Sequence, residues 1–253
     1  MSVHPSSAPL GYESFLVGRA RVVAQQSLSD AVREAMTSQT LHEWAARQPR
    51  ARGMRGRATA WATALPNGVE VVVRHSEHGG LFARVTQDLF RTPTRAPLEL
   101  AAALRLAGAG VPTPEVLAYA VYPAFGPFVR ADVATRLLHG VPFPDAWERA
   151  TSEDARSALV DAIAVLLASL RRAGAHHPDL NVRNVFVLDS PAMPTAAVLD
   201  VDRVTFGAAG DPALAVLNVR RLLRSMAKER VGSGADITSR LAQRLSATAG
   251  PTA

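Results

Sequence analysis

The pattern of apolar and polar positions divides the chain into a strand-rich first half and a helix-rich second half. Arg19 to Gln25, Ala58 to Leu65, Val69 to His75, Val116 to Val121 and Pro127 to Thr135 are short apolar or alternating runs bounded by turn residues. Each predicts a β-strand. Pro66-Asn67-Gly68 supplies the turn of a hairpin between the second and third. Short helices are expected after Ser29 and Asp30 to Met36 and from Leu41 to Arg47, the latter entered at Thr40, with a longer one from Arg95 to Ala107. Gly110-Val111-Pro112-Thr113-Pro114 breaks the chain. The strongest helical period runs from Ser152 to Arg172, where Leu159, Ile163, Leu166, Leu167 and Leu170 fall on one face and Gly174 supplies a stop. A second amphipathic helix is read over 211–228, with Val216, Val219, Leu223 and Met226 sharing a face. Ile237, Leu241 and Leu245 allow a last short one. The proline- and serine-rich start and the tail from Ala247 are expected to be flexible.

Between the two long helices lies the stretch that organises the rest. A polar loop holding His177, Asp179, Asn181 and Asn184 leads into an apolar run from Val185 to Leu188. A turn with Pro191 and Pro194 follows, then a second apolar run, Ala196 to Leu199, that ends on Asp200. A hairpin of this length returns the chain to its start, bringing Asp179 and Asp200 back together. One carboxylate can then accept a proton while Asn184 and Asp200 offer hard oxygens to Mg²⁺. His177-Pro178-Asp179-Leu180 followed at Asn184 has the spacing of a kinase catalytic loop. The plainer alternative is an Asx-rich turn ahead of an ordinary hairpin.

Three further features suit a kinase layout. Gly53 and Gly56 precede the first strand of the Pro66-Asn67-Gly68 hairpin, where their backbone can approach a triphosphate, with Arg52, Arg55 and Arg57 adding charge; a flexible basic loop is the alternative. Val71-Val72-Val73 ends on Arg74, and Glu99 is the acidic residue of the helix that follows. The two are the candidate pair that clamps nucleotide phosphates. Arginine stands there in place of the usual lysine, keeping the charge but changing the geometry, and the alternative is an exposed strand end. Leu137 to Gly140 is a natural hinge between two lobes.

Composition narrows the setting. A chain of 253 residues, 48% hydrophobic and 20% charged, can bury a substantial core as one large or two small domains. The absence of cysteine excludes disulfides and thiolate metal sites. No apolar run approaches the roughly 18 residues of a membrane span. The start also lacks the basic and apolar regions of a secretory signal, so a cytoplasmic location is expected. The net charge is +6, and of 28 basic residues only Lys228 is lysine. An arginine-rich surface suits an anionic partner, although genomic composition alone can produce the bias. No aromatic-interleaved basic repeat points to nucleic acid.

Taken in order, these pieces resemble the lipopolysaccharide-core kinases, and within them the 3-deoxy-D-manno-octulosonic acid (Kdo) kinase branch. The matching stretches are the segment around Gly56 to Trp61, VVVRHSEHGGLFARV, LELAAALRLAGAGVPTPEVLA, FVRADVATRLL, HPDLNVRNVFVLD, LDVDR and NVRRLLRSMAK, together spanning roughly Arg55 to Lys228. The sequence departs from the family pattern at Ser76, where an aromatic residue is usual, and at Val201, where Phe is usual between the two late aspartates. The resemblance implies an α+β, protein-kinase-like bilobal fold with a small β-rich N-lobe and a reduced, mainly helical C-lobe. On that reading residues 1–18 are a flexible start, 19–138 the nucleotide-binding lobe, 139–246 the catalytic lobe and 247–253 a flexible tail. It implies ATP and Mg²⁺ as reactants. The acceptor it implies is a Kdo hydroxyl of the inner core on lipid A, met at the cytoplasmic face of the inner membrane by a peripherally bound enzyme. Carried over by position, Asp179 is the base, His177 the brace of its loop, Asn184 and Asp200 the metal ligands, and Arg74 with Glu99 the nucleotide clamp. Arg130, Arg220, Arg221 and Arg224 are candidates for meeting an anionic substrate or surface. A kinase of the aminoglycoside or choline type is the alternative enzyme, although its acceptor lobe is normally acidic. A pseudokinase that only binds a partner has no need of Asp179, Asn184 and Asp200 together.

Overall fold

A computed structural model of the chain describes residues 8–54, 60–76, 90–91, 94–190, 193–229, 231, 237, 239–241 and 243–244. The chain divides into two compact units, Met1–Leu100 with Glu115–Leu137, and Ala101–Pro114 with Leu138–Ala253. The sequence reading kept 101–114 with the first unit. They belong to the second because Val198 donates its N–H to the Pro112 carbonyl (2.9 Å), tying the Gly/Pro break to the hairpin that carries Asp200.

The first unit is built on an antiparallel sheet. In chain order its elements are β1 (Tyr12–Val17), β2 (Ala20–Gln25), α1 (Ser29–Ala35), α2 (Leu41–Ala46), β3 (Arg52–Met54), β4 (Ala60–Ala64), β5 (Glu70–His75), β6 (Phe90–Arg91), α3 (Ala96–Gly108, of which 96–100 lie in this unit), β7 (Val116–Pro123) and β8 (Phe128–Arg136). The strands lie in the order β1-β2-β7-β8-β5-β4-β3, and β6 pairs with β8 beyond the end of β5. Alternation does the sorting: Val71 and Val73 are buried while Val72 between them is only half-buried. The buried positions pack with Val22, Leu117 and Ala134 of the sheet and with Val32, Leu41 and Trp44 of α1 and α2. The β4–β5 turn forms as its residues predict, with Gly68 at φ +85°.

Strand β1 corrects the expectation of a flexible start over Tyr12–Val17; residues 1–7 lie outside the described residues. Its backbone pairs with β2 from Tyr12↔Gln25 to Val17↔Ala20, and the Tyr12 hydroxyl donates to the Val116 carbonyl (2.6 Å). An edge strand of this kind, with only one residue fully buried, leaves little periodic signal beside a proline- and serine-rich start.

The second unit adds β9 (Gly140–Pro142), α4 (Phe143–Arg149), α5 (Glu153–Arg172), β10 (Ala175–His176), β11 (Val185–Leu188), β12 (Thr195–Val198), β13 (Thr205–Phe206) and α6 (Pro212–Glu229). Helix α4 was hidden from sequence reading by its prolines. Pro144 sits in the first turn, where its missing N–H costs nothing. In α5 all five predicted face positions are buried, and the Ser152 hydroxyl caps the start by accepting from the Ala155 N–H (3.1 Å). Gly174 ends the helix at φ +62°, and a Cβ there would lie 2.6 Å from the Ala208 carbonyl oxygen, so no other residue fits. Helix α6 buries a different face from the one predicted. Asn218, Leu222, Ser225 and Met226 are buried, whereas Val216 is exposed and Val219 and Leu223 only half-buried. Two polar residues occupy the inner stripe because they hydrogen-bond the loop beneath them, which a purely apolar period cannot reveal.

Candidate active site

The candidate catalytic loop leaves α5 through Gly174 and β10 and is held from two sides. From α6, Asn218 accepts the His177 N–H through Oδ1 (2.9 Å) and donates through Nδ2 to the Ala175 carbonyl (2.8 Å), while the Ser225 hydroxyl accepts the Val182 N–H (3.1 Å). From the hairpin, the Leu199 carbonyl meets His177 Nε2 at 3.0 Å. Within the loop, Asn181 Oδ1 accepts from the N–H groups of Arg183 (2.9 Å) and Asn184 (3.2 Å) and forms a short 3₁₀ turn over Val182–Asn184. Leu180 is fully buried and pins the centre. Every one of these bonds satisfies a backbone group, so the polar residues fix the main chain and leave Asp179 at the surface of the loop.

His177 is buried, and its ring shows how it braces the loop. A carbonyl only accepts, so Nε2 carries the proton toward Leu199, while buried Nδ1 has no hydrogen-bond partner. Protonation would place a second N–H where nothing receives it. Burial accordingly holds the imidazole below its ordinary pKa, against the raising effect of the Leu199 carbonyl and of Asp200, Asp179 and Asp202.

The β11–β12 hairpin then delivers the second carboxylate. Val185 pairs with Val198, so Asn184 lies opposite Leu199, whose N–H donates to the Asn184 carbonyl (2.8 Å), and Asp200 is the next residue. Asp200 is the only non-glycine among the described residues with positive φ, at +59°. This left-handed residue, two past the end of β12, leads into a 3₁₀ turn, Val201–Arg203, whose Val201 is buried. Asn184 donates through Nδ2 to the Asp179 carbonyl (2.9 Å), which leaves its Oδ1 as the acceptor end of the amide, with no donor to it among the described residues. An amide oxygen and a carboxylate on neighbouring rungs suit a hard cation that completes its shell with phosphate oxygens and water. Among the described residues no group of three or more His, Cys, Asp or Glu side chains is placed to hold a metal by protein ligands alone.

Asp179 itself is met by two arginines. Oδ2 accepts from Arg203 Nη1 at 2.8 Å, and Oδ1 lies 3.5 Å from Arg221 Nη2, while Arg221 Nε donates to the Pro178 carbonyl at 3.1 Å. Arg203 stands in the LDVDR stretch but is not legible there as a partner of Asp179, because its contact spans 24 residues and is made only when the 3₁₀ turn after Asp200 meets the loop.

In the first unit, Arg74 pairs with Glu99, whose carboxylate is buried. The neighbouring strand positions hold an unexpected network. His75 lies opposite Asp132 in the β5–β8 register, with Nδ1 and Oδ1 2.5 Å apart, and Asp132 Oδ2 accepts from the Tyr122 hydroxyl and the His42 N–H, both at 2.9 Å. Burial, with Asp132 beside it, pushes the Tyr122 phenol up, so it stays a donor. The VVVRHSEHGGLFARV and FVRADVATRLL stretches therefore meet across two strands through His75 and Asp132.

The Lipopolysaccharide kinase (Kdo/WaaP) family matches residues 41–247. The chain belongs to this family. A 3-deoxy-D-manno-octulosonic acid kinase of Vibrio vulnificus (strain YJ016) is 32% identical over 182 residues, 70% of this chain and 72% of the relative. One of Stenotrophomonas maltophilia (strain K279a) is 34% identical over 186 residues, covering 70% of each. Among solved structures, "WaaP in complex with acyl carrier protein" is 18% identical, with a TM-score of 0.57 over 89% of this chain and 88% of that one. The kinase-like α+β fold and kinase activity expected from the sequence accord with these findings.

The remaining candidates of this Kdo/WaaP-family chain are scattered. Gly53 lies in exposed β3 opposite Trp61, where a Cβ would meet the indole ring at an ordinary 3.5 Å, so the backbone there has no steric need for glycine. Gly56, with Arg55 and Arg57, lies outside the described residues, as does most of the HSEHGGLFARV stretch. Arg130 is exposed on β8, opposite Tyr122. The three arginines of α6 separate: Arg221 turns to Asp179, whereas Arg220 and Arg224 are exposed, Arg224 Nε donating to the Arg220 carbonyl (3.3 Å).

Proposed function

We propose that this kinase transfers the γ-phosphoryl group of ATP to a hydroxyl of a 3-deoxy-D-manno-octulosonic acid residue in the lipopolysaccharide inner core. The observation that carries the chemistry is the loop-and-hairpin arrangement, in which Asn184 and Asp200 stand on adjoining rungs and Asn184 is hydrogen-bonded to Asp179. Asp179 orients the acceptor hydroxyl and receives its proton as the oxygen attacks the γ-phosphorus and the bond to the β-phosphate oxygen breaks, releasing ADP. Asn184 Oδ1 and the Asp200 carboxylate would hold Mg²⁺, which supplies neutralisation of phosphate charge. His177 keeps the loop in register with the end of β12. Arg74, buttressed by Glu99, serves the nucleotide phosphates in the place where lysine is usual.

The acceptor's class follows from the kinases that the chain resembles over most of its length. Two guanidinium groups beside Asp179 also disfavour a cationic acceptor such as an aminoglycoside. No helix among the described residues is long and apolar enough to cross a membrane. The enzyme reaches its lipid-anchored acceptor from the membrane surface, with exposed Arg220 and Arg224 facing anionic headgroups. Incubation with ATP, Mg²⁺ and either Kdo-lipid A or an aminoglycoside, followed by mass spectrometry, tests this. Phosphate gain on the Kdo sugar is expected, and gain on the aminoglycoside alone would overturn it.

A further inference from the structure

Both oxygens of Asp179 face arginines, yet neither arginine is used up by the contact. A guanidinium carries five N–H donors. Arg203 spends one of them, at Nη1, on Asp179, and its side chain is about half exposed (52%). Arg221 directs Nη2 toward the same carboxylate and donates Nε to the Pro178 carbonyl, which fixes its plane, while its Nη1 group makes no hydrogen bond among the described residues. Arg203 comes from the 3₁₀ turn after Asp200 and Arg221 from α6, so two separate elements converge on one carboxylate. A loop that needed only to anchor Asp179 would be served by one such contact. Two, each with unspent donors on a partly exposed side chain, form a cationic rim around the point where an acceptor hydroxyl must arrive.

We propose that Arg203 and Arg221 are the specificity-determining residues of the acceptor site, and that they bind a carboxylate on the acceptor sugar. The inference rests on the phosphotransfer reading above. The acceptor carboxylate takes guanidinium donors left free by Asp179, Arg203 presenting its planar fork and Arg221 its Nη1 edge. The same two side chains hold the Asp179 oxygens, so docking the carboxylate sets the distance between the sugar hydroxyl and the base. The ligand class is therefore an acid sugar whose carboxylate lies near the phosphorylated hydroxyl. A neutral sugar of the same shape leaves both arginines without that partner and its hydroxyl without a fixed position.

The test compares Kdo-lipid A with the same acceptor after reduction of the Kdo carboxyl to an alcohol. Turnover is measured for the wild type, Arg203→Gln, Arg203→Lys and Arg221→Gln, and thermal melting confirms that each variant is folded. The wild type is expected to favour the acid by about ten- to a hundredfold in kcat/KM, the range of a charge-assisted contact. Arg203→Gln and Arg221→Gln should lose activity mainly on the acid and shrink that ratio toward unity. Arg203→Lys, which keeps the charge but not the fork, should restore part of it. A wild type that phosphorylates both acceptors equally would overturn this proposal while leaving the kinase reading intact. Equal losses on both acceptors in the glutamine variants would reduce the arginines to structural supports, and so overturn it as well. A wild type that phosphorylates neither would remove the functional reading itself.

Discussion

Asp132 and Asp179 are carboxylates in similar company and opposite circumstances. Asp132 is fully buried, and its oxygens meet an imidazole, a phenol and a main-chain N–H, all carried by elements of the same sheet and helix layer. Asp179 is partly exposed (40% of its side chain), and its partners are two long arginines, one of them about half exposed. A carboxylate closed in by fixed donors is a structural joint. One met by two arginines at a partly exposed position keeps its access to water. The joint fastens the start of α2, since Tyr122 accepts the Leu41 N–H and Asp132 the His42 N–H, with Thr40 capping the turn below. Ion pairing alone would not tell the two apart; exposure does.

The sharpest break of the comparison is Asp179→Asn. An amide of the same shape cannot take the hydroxyl's proton, so turnover on Kdo-lipid A should fall about 10²- to 10⁴-fold. Melting temperature and ATP binding should stay close to wild type. Retention of full turnover would show that Asp179 is not the base.

Asp132→Ala should do the reverse. It removes the buried acceptor that the His75 ring, the Tyr122 hydroxyl and the His42 N–H share, a loss of about 3–5 kcal/mol by analogy with a broken buried pair. Urea unfolding measures it, and activity per folded molecule should change far less than in Asp179→Asn. A stability loss under 1 kcal/mol would mean that water relieves these groups and that the joint is not one.

The contrast also explains what sequence could and could not reveal. The hairpin, the long α5 and the positions of Asp179, Asn184 and Asp200 were legible, because turn residues and apolar periods act locally. Arg74 and Glu99 were legible as a pair through layout. Asp132 was legible only as one position of the FVRADVATRLL stretch, since its partners lie on β5, β7 and α2 and meet it only through sheet order. Asn218 and Ser225 were invisible for a related reason: two polar residues on an inner helix face look like errors in an apolar stripe until the loop they hold is seen. Strand β1 escaped because its pairing is made by the backbone.

His177 sharpens the comparison with pH. It is buried like the Asp132 network but braces the loop of Asp179. Its pKa is lowered when folded, so the unfolded chain binds a proton more readily than the native one. This term leaves stability unaffected above the unfolded imidazole pKa of about 6.5 and costs stability as pH falls below it toward the depressed folded value. Urea midpoints should therefore drop between pH 7 and 5.5 in the wild type. The acid decline should flatten in His177→Gln, which can still donate to the Leu199 carbonyl. An identical decline in both proteins would assign it to other groups.

The smallest effect belongs to the arginines that face neither carboxylate. Arg220 and Arg224 sit on α6 on either side of Arg221, exposed, and linked to each other only through the Arg224 Nε bond to the Arg220 carbonyl. Attraction of an exposed arginine to an anionic bilayer is worth roughly 1 kcal/mol and is screened over about 8 Å at physiological ionic strength. The double variant Arg220→Gln/Arg224→Gln should therefore bind vesicles containing anionic lipid and Kdo-lipid A less tightly, with a shallower salt dependence. Its turnover of a short, soluble Kdo glycoside should match the wild type. Arg221→Gln should behave in the opposite way, losing turnover on the soluble glycoside while keeping vesicle affinity, because its guanidinium is engaged at the loop. Equal vesicle binding by the double variant and the wild type at low salt would show that this helix does not face the membrane. Arg130, exposed on β8, would then be the next residue to replace.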